Sequence, residues 1–227
     1  VLAAVLVALV VGPVMERGLL RYFYGRGEVV IVLVTYGVFL ILEDLMKLIW
    51  GVVPYYVSQP YALLGNIEYG PLNYVAYDFL VIATAIVVGL AVWFVLNRTR
   101  KGKIVLAVIH NREMSETMGV NVRRVYVVSF SAGVFLAALG GAITAPMISI
   151  TPGLGVGVII TAFAVVIIGG LGSIEGAAIG AVLVGIARAV SVHLVPEAEL
   201  FIIYLVMAMV LLFRPEGLFQ KIQARKI

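Results

Sequence analysis

Residues 98–124 read RTRKGKIVLAVIHNREMSETMGVNVRR and carry seven of the sixteen Lys and Arg residues of the chain. This stretch lies between two apolar runs, residues 79–96 and 125–147. Seven more basic residues fall in residues 17–26 and 214–226, again with long apolar runs between the stretches. Basic residues in short loops stay on the cytoplasmic side of a membrane during insertion. The clustering therefore predicts a membrane protein with these three stretches, and the C-terminus, in the cytoplasm.

The composition supports a membrane protein and excludes several other classes. Hydrophobic residues make up 63% of the chain and charged residues 12%, whereas a soluble domain is about 25% charged. Without cysteine the chain forms no disulfide or thiolate metal site, and two histidines are too few for a His-rich metal centre. We expect no metal and no cofactor. No basic stripe with interleaved aromatic residues is present, so nucleic acid is not an expected partner.

The apolar runs predict an all-α, polytopic transmembrane helix bundle. A helix needs roughly 20 apolar residues to cross the hydrocarbon core of a bilayer. About seven runs are candidates, and their alternating directions agree with the positions of the basic stretches. We interpret residues 1–227 as a single transmembrane domain that contains a cytoplasmic loop at residues 98–124. The predicted spans are residues 1–15, 28–50, 79–96, 125–147, 158–168, 177–192 and 198–213.

Charged and aromatic residues near the outer ends of the spans have local explanations. Glu43 and Lys47 are four residues apart, so one helix face pairs them. Arg188 lies inside a span, where we expect it to snorkel to the headgroups or to pair with Glu197 or Glu199. The external loop, residues 51–77, is rich in Tyr and Pro and has no Lys or Arg. This composition is typical of an interfacial aromatic belt.

Small residues recur every four positions in two parts of the chain. Gly133, Ala137, Gly141 and Ala145 form one stripe, and Gly172, Gly176 and Gly180 form another. Small residues at this spacing let helix backbones approach closely in lipid. We favour packing within one bundle, and a solute path or a dimer face is the alternative.

The second stripe belongs to a glycine-rich break at residues 169–176, which includes Gly169 and Gly170. The break lacks the Gly-Lys-Ser/Thr ending of a phosphate-binding loop. Non-helical backbone at membrane depth is tolerated only against protein or water. We therefore interpret the break as a sharp connection between two closely packed spans, with a part in gating as the alternative.

Within the long cytoplasmic loop, residues 111–118 form an amphipathic pattern, and Gly119 follows in the position of a C′ residue. A short helix with one charged and one apolar face suits docking of a soluble partner in a groove. A solvated, positively charged inside loop is the alternative interpretation. The composition of the loop alone does not decide between these two interpretations.

The same loop resembles the coupling loop of permeases in the branched-chain amino-acid ABC transporter family, the LivH/LivM type. Further similarity lies at residues 169–173, 176–181 and 212–219, and Glu16, Arg17 and Arg21 are similar to the LivH branch in particular. The resemblance covers essentially the whole chain, although roughly the first two spans of a typical member are absent, which implies a missing N-terminus. The chain departs from the family pattern at Leu106, Ser115, Glu175 and Arg188. The loop residues that match are Gly102, Lys103, Ala107, Asn111, Gly119, Val120, Asn121, Arg124 and Val125.

The resemblance implies a transmembrane subunit of an ABC importer that has no catalytic residue of its own. Its implied partners are ATP-binding subunits, a second related permease and an extracytoplasmic solute-binding protein, which residues 51–77 help to contact. The implied solute is a branched-chain amino acid, with other amino acids, urea, amides or another small polar solute as alternatives. Thr144 and Thr161 are candidate liners of the solute path by position. The ATPase-coupling residues it implies are Ala107, Asn111, Glu113, Glu116, Gly119, Asn121 and Arg124.

Two other functional classes are less favoured by the residues. An ion-coupled secondary transporter needs carboxylates at mid-depth in the membrane, whereas Glu43, Asp44 and Asp78 lie near the outer ends of their spans. An intramembrane enzyme needs paired acid and base groups or a metal set at depth. The chain has no such cluster of His and Asp residues.

Overall fold

The computed structural model describes residues 2–24, 26, 28–57, 65–69, 72–170, 172–215 and 217–219. They belong to two compact units, Val1–Pro152 and Gly153–Ile227. The single-domain organisation stays a prediction. Leu171 of the glycine-rich break and the basic residues Lys221, Arg225 and Lys226 lie outside the described residues.

Helices dominate both units. The first unit contains a 3₁₀ turn at Leu20–Tyr22 and the second has one at Pro196–Ala198. The helices and strands of the first unit are α1 (Leu2–Gly18), α2 (Glu28–Trp50), β1 (Asn66–Tyr69), β2 (Leu72–Val75), α3 (Ala76–Arg98), α4 (Arg100–His110), α5 (Arg112–Thr117) and α6 (Val122–Thr144). The helices of the second unit are α7 (Leu154–Gly169), α8 (Ile174–Leu194) and α9 (Glu199–Phe213).

Each predicted span corresponds to one apolar helix, namely α1, α2, α3, α6, α7, α8 or α9. In the described part of the chain, five helical stretches are long and apolar enough to cross a membrane: Leu2–Tyr22, Ala76–Arg98, Val122–Thr144, Ile174–Leu194 and Pro196–Phe213. Helix α7 is apolar but shorter, with 16 residues. The all-α, polytopic membrane fold is thus confirmed.

Helices α1 and α6 pack closely in the first unit through a stripe of small residues on α1. Ala4, Ala8 and Gly12 are buried. A Cβ atom on Gly12 would lie 2.8 Å from Cα of Ser131, so the two backbones are nearly in contact. By contrast, a Cβ atom on Gly133 or Gly141 would meet nothing within 4 Å among the described residues. A packing partner for that second stripe stays a prediction.

The segment between α2 and α3 contains a structure that its Tyr and Pro content did not indicate. Strands β1 and β2 pair as an antiparallel hairpin, with Asn66 opposite Val75. Tyr55 pairs with Ile150 through two backbone hydrogen bonds of 3.0 Å. The hydroxyl of buried Tyr77 donates to the carbonyl oxygen of Ile143 at 2.7 Å, which ties the start of α3 to the end of α6.

Both predicted ion pairs are present. Lys47 Nζ lies 3.0 Å from Glu43 Oε1 on α2. Arg188 Nε of α8 lies 2.6 Å from Glu199 Oε1 of α9. Arg188 is therefore held in a pair with Glu199, one of its two predicted partners.

The second unit is built on a close crossing of α7 and α8. Its buried core consists of Ala164, Ile168, Val184 and Ile203. A Cβ atom on Gly180 would lie 2.5 Å from the carbonyl oxygen of Val165. Cβ atoms on Gly169 and Gly176 would likewise meet each other's backbone. Small residues at these three positions therefore allow the two backbones to touch.

The break between α7 and α8 uses glycine and a cap. Gly170 and Gly172 have φ angles of +96° and +85°, which residues with a Cβ rarely adopt. Ser173 then starts α8, because its hydroxyl oxygen accepts a hydrogen bond of 3.0 Å from the N–H of Gly176.

The segment that follows α9 is hydrogen-bonded to the end of α7. The N–H groups of Leu218 and Phe219 donate to the carbonyl oxygens of Ile168 and Gly169 at 3.0 and 3.1 Å. These bonds satisfy two carbonyl groups that the end of a helix leaves free. They also bring the end of α7, the start of α8 and the end of α9 together, which agrees with the predicted alternation of helix directions.

The α7–α8 contact can be tested with two alanine substitutions on α8. We expect Gly180→Ala to lower the melting temperature of the purified protein, because a methyl group forced into a packed contact costs about 1–3 kcal/mol. Gly185→Ala is the matched control, since a Cβ atom there meets nothing within 4 Å. In the control, alanine's better helix propensity should leave the melting temperature unchanged or slightly higher. Equal melting temperatures for the two variants would contradict the close crossing.

Candidate functional site

The candidate site is the loop between α3 and α6, and it starts with a tight turn at Gly102. The hydroxyl of Thr99 accepts a hydrogen bond from the N–H of Gly102 at 3.0 Å and so caps α4. A Cβ atom on Gly102 would collide with the backbone of Val95 and Leu96. Only glycine lets α4 fold back this closely against α3.

Helix α4 turns part of its apolar face toward the protein. Val108 is buried and Val105 is half-buried. Ile109, the next residue along the helix, is 59% exposed. Ala107 is exposed as well.

The short helix α5 begins at Asn111. Its side-chain oxygen accepts a hydrogen bond from the N–H of Met114 at 3.0 Å, so Asn111 is the N-cap of α5. Ser115 is buried, and its hydroxyl donates to the carbonyl oxygen of Asn111 at 2.8 Å. This bond accounts for how a serine fits where the family pattern frequently has alanine.

Gly119 follows the end of helix α5 in the C′ position, as the sequence pattern predicted. The N–H of Val120 donates to the carbonyl oxygen of Ser115, and that of Gly119 donates to the carbonyl oxygen of Glu116, both at 3.0 Å. This pair of bonds is a Schellman motif with Gly119 at C′. Gly119 has a φ angle of +82°, so the C′ assignment is confirmed.

Asn121 caps the next helix, α6. Its side-chain oxygen accepts a hydrogen bond from the N–H of Arg124 at 3.1 Å. Asn111, Gly119 and Asn121, which the family resemblance marked as coupling residues, therefore set the path of the backbone. The sequence alone does not distinguish residues that set the backbone path from residues that are free to contact a partner.

The residues available for contact lie on the outer surface of α5. Met114 and Met118 are 62% and 78% exposed and are four residues apart, so they share one face of the helix. Neither methionine was named as a site residue, although the amphipathic spacing was a signal for both. Glu113 and Arg124 are also exposed.

An ion pair crosses the surface of α5. Arg112 Nε lies 3.1 Å from Glu116 Oε1, and the Arg112 guanidinium lies 5.8 Å from the centre of the Tyr126 ring. The hydrogen bond to Glu116 raises the pKa of Arg112 above its ordinary value. Arg112 is thus a permanent cation beside α6.

The two threonines predicted for the solute path both bond to their own helices. Thr144 Oγ1 donates to the carbonyl oxygen of Gly140, and Thr161 Oγ1 donates to that of Gly157, both at 2.9 Å. Their role in a solute path stays a prediction. Among the described residues, no group of three or more His, Asp and Glu side chains could hold a metal ion.

Comparison with known proteins assigns this architecture to a family. The permease protein BraD of a high-affinity branched-chain amino acid transport system in Pseudomonas aeruginosa is 25% identical over 99% of this chain and 75% of its own length. The corresponding Escherichia coli protein LivH is 30% identical over 61% of this chain and 46% of its own length. The ribose import permease protein RbsC of Escherichia coli is 34% identical over 44% of this chain and 33% of its own length.

No solved structure matches the chain. The family model described as the permease component of the branched-chain amino acid transport system matches residues 1–211. With five helical stretches able to cross a membrane among the described residues, the chain is a multi-pass membrane protein. It belongs to the family of branched-chain amino acid transport permeases.

Proposed function

We propose that this chain is the transmembrane permease subunit of an ABC importer, with its three basic stretches and its C-terminus in the cytoplasm. Separate ATP-binding subunits bind and hydrolyse ATP, and the chain has no catalytic residue. A second related permease completes the membrane path, and an extracytoplasmic binding protein delivers the solute. Family membership supports this assembly, and the geometry of α5 supports the coupling step.

The observation that carries the proposal is the exposed face of α5. Both ends of this helix are closed, by Asn111 at one end and Gly119 at the other. Its inner face is occupied by buried Ser115, while Met114 and Met118 point away from the protein. Methionine side chains are flexible and polarizable, and they suit docking surfaces. A groove on an ATP-binding subunit would take this face as an apolar ridge.

The loop can transmit a displacement of α5 because both of its connections are short and hydrogen-bonded. On one side, α4 is tied to α3 through Thr99 and Gly102. On the other side, Asn121 starts α6 within four residues of the end of α5. Helices α3 and α6 are both long enough to span the membrane. Movement of the docked helix therefore reaches two spans directly.

We propose a branched-chain amino acid as the solute. The description of the family and the names of the Pseudomonas aeruginosa and Escherichia coli relatives favour this class. The similarity to a ribose import permease keeps another small polar solute as the second candidate. Ion-coupled transport is disfavoured, because Glu43 and Asp44 lie near the end of α2 and both contact Lys47.

The docking face is tested by replacing both exposed methionines with serine. We expect the Met114→Ser/Met118→Ser variant to retain about a tenth of the ATP-binding subunit that co-purifies with the unaltered protein. Such a loss corresponds to about 1.4 kcal/mol, which is within the cost of truncating residues at the centre of an interface. Met147→Ser is the matched control, because Met147 is exposed beyond the opposite end of α6. Equal recovery from all three proteins would rule out docking through this face.

The coupling of α5 to the two spans is tested at Gly119 with one disruptive and one tolerated substitution. Valine at a φ angle of +82° is strained by about 1–3 kcal/mol, so Gly119→Val should displace the end of α5. We expect loss of ATP-driven uptake in proteoliposomes, with normal membrane insertion. Gly119→Asn is the control, because asparagine adopts the left-handed conformation more readily and no atom lies within 4 Å of the Cβ position. The proposed coupling through α5 is wrong if Gly119→Val transports normally or is absent from the membrane.

A further inference from the structure

A cavity of about 500 Å³ lies in the first unit, where the end of α1 and the start of α6 meet helix α5. The helical stretches Leu2–Tyr22 and Val122–Thr144 are both long and apolar enough to span the membrane. The cavity lies at the end of the first stretch and at the start of the second. It is therefore at the depth of the lipid headgroups on one side of the membrane. The charged residues of its lining are Glu16, Arg21, Arg112, Glu116 and Arg123.

Two of the three arginines that line the cavity have no carboxylate partner. Among the described residues, no ion pair within 4 Å joins Arg21 or Arg123 to an acidic side chain, and both residues are exposed. The third arginine, Arg112, lies 3.1 Å from Glu116, so these two charges compensate each other. The cavity thus presents two uncompensated guanidinium groups. The planar fork of N–H donors on such a group matches the oxygens of a phosphate.

The remaining charged residue of the lining, Glu16, does not present its carboxylate to the cavity. The residue is 1% exposed, and both of its carboxylate oxygens are buried. A ligand in the cavity therefore meets the guanidinium groups and not this carboxylate. The negative charge of Glu16 opposes an anion in the cavity, but it is one charge against the two uncompensated cations.

Tyrosines complete the wall of the cavity. Arg21 Nη2 donates to the hydroxyl of Tyr22 at 2.8 Å, which leaves the other N–H groups of this guanidinium for a ligand. The rings of Tyr24 and Tyr126 lie with their centres 4.8 Å apart. Burial, and to a lesser degree the charge of Glu16, raise the pKa of the Tyr24 hydroxyl above its ordinary value, so this hydroxyl is a neutral donor. Tyrosine rings with a polar tip are typical of the headgroup level of a membrane.

We propose that this cavity binds the phosphate group of an anionic phospholipid. The phosphate oxygens accept hydrogen bonds from Arg21 and Arg123. The acyl chains run along the apolar helix surfaces beside the cavity, where Val14 of α1 and Val128 of α6 are each 64% exposed. Basic pockets between membrane-spanning helices bind headgroups of this kind. A zwitterionic choline lipid fits less well, because its quaternary ammonium group would face the same guanidinium groups.

A lipid in this cavity would bridge α1 and α6 at the surface of the membrane. The site goes beyond the proposed function, because it depends neither on the solute nor on ATP-binding subunits. None of the residues that would bind the phosphate belongs to the predicted solute path.

The test is native mass spectrometry of the purified protein in detergent, titrated with one lipid at a time. Phosphatidylglycerol and phosphatidylcholine with the same acyl chains are compared, so that only the headgroup differs. We expect phosphatidylglycerol to bind about tenfold or more tightly, since two arginines attract its net negative charge. Equal affinities for the two lipids would overturn the proposal.

Substitutions locate the bound lipid. Arg21→Gln and Arg123→Gln should each weaken phosphatidylglycerol binding by about tenfold, since each removes one charged partner of the phosphate. Both residues are exposed, so neither replacement disturbs the folded core. Arg26→Gln is the matched control, because Arg26 is an exposed arginine that lies over the Phe23 ring and does not line the cavity. Phosphatidylglycerol binding that survives both cavity substitutions belongs to another site and contradicts the proposal.

Inorganic phosphate distinguishes a lipid from a free anion as the ligand. We expect an equimolar amount of inorganic phosphate to leave phosphatidylglycerol binding unchanged, because the free anion gains nothing from the apolar helix surfaces. Displacement of the lipid by equimolar inorganic phosphate would show that the cavity takes a free anion, and it would overturn the lipid assignment.

Discussion

A helix in hydrocarbon must satisfy its backbone polar groups within itself, and burial of apolar side chains gives it no reason to associate with another helix. Close approach of backbones supplies that reason, and in this protein glycine makes the approach achievable. Gly12 lies against Ser131 in the first unit, and Gly180 lies against the carbonyl of Val165 in the second. Each contact joins helices that would otherwise present only interchangeable apolar surfaces to lipid. The arrangement of helices within each unit depends on these few positions.

In the polar loops the main constraint is different: the unpaired backbone N–H and C=O groups at the helix ends need hydrogen-bond partners. Thr99, Asn111, Asn121 and Ser173 each cap the helix that follows them. Gly119 closes α5 with two backbone hydrogen bonds. These side chains determine where each helix starts and ends, and so they determine which residues are left to meet a partner. In the cytoplasmic loop those residues include Met114 and Met118.

Local patterns in the sequence predicted the helices, the C′ role of Gly119 and the pairing of Glu43 with Lys47, because each depends on residues within four positions. Contacts between distant segments were not predictable in this way. The stripe of Ala4, Ala8 and Gly12 has the same spacing as the stripe on α6, and spacing does not show which one has a partner. Attachment of residues 217–219 to the end of α7 depends on two motifs about fifty residues apart. The hairpin at residues 66–75 was not predicted, because the Tyr- and Pro-rich composition of this segment is also typical of an aromatic belt.

The pair formed by Arg112 and Glu116 lies on the proposed docking helix, α5. Both side chains are about half exposed, at 50% and 48%, and an exposed ion pair contributes only about 0–1 kcal/mol. An ATP-binding subunit that engages Glu116 would therefore open this pair at little cost to the free energy of docking.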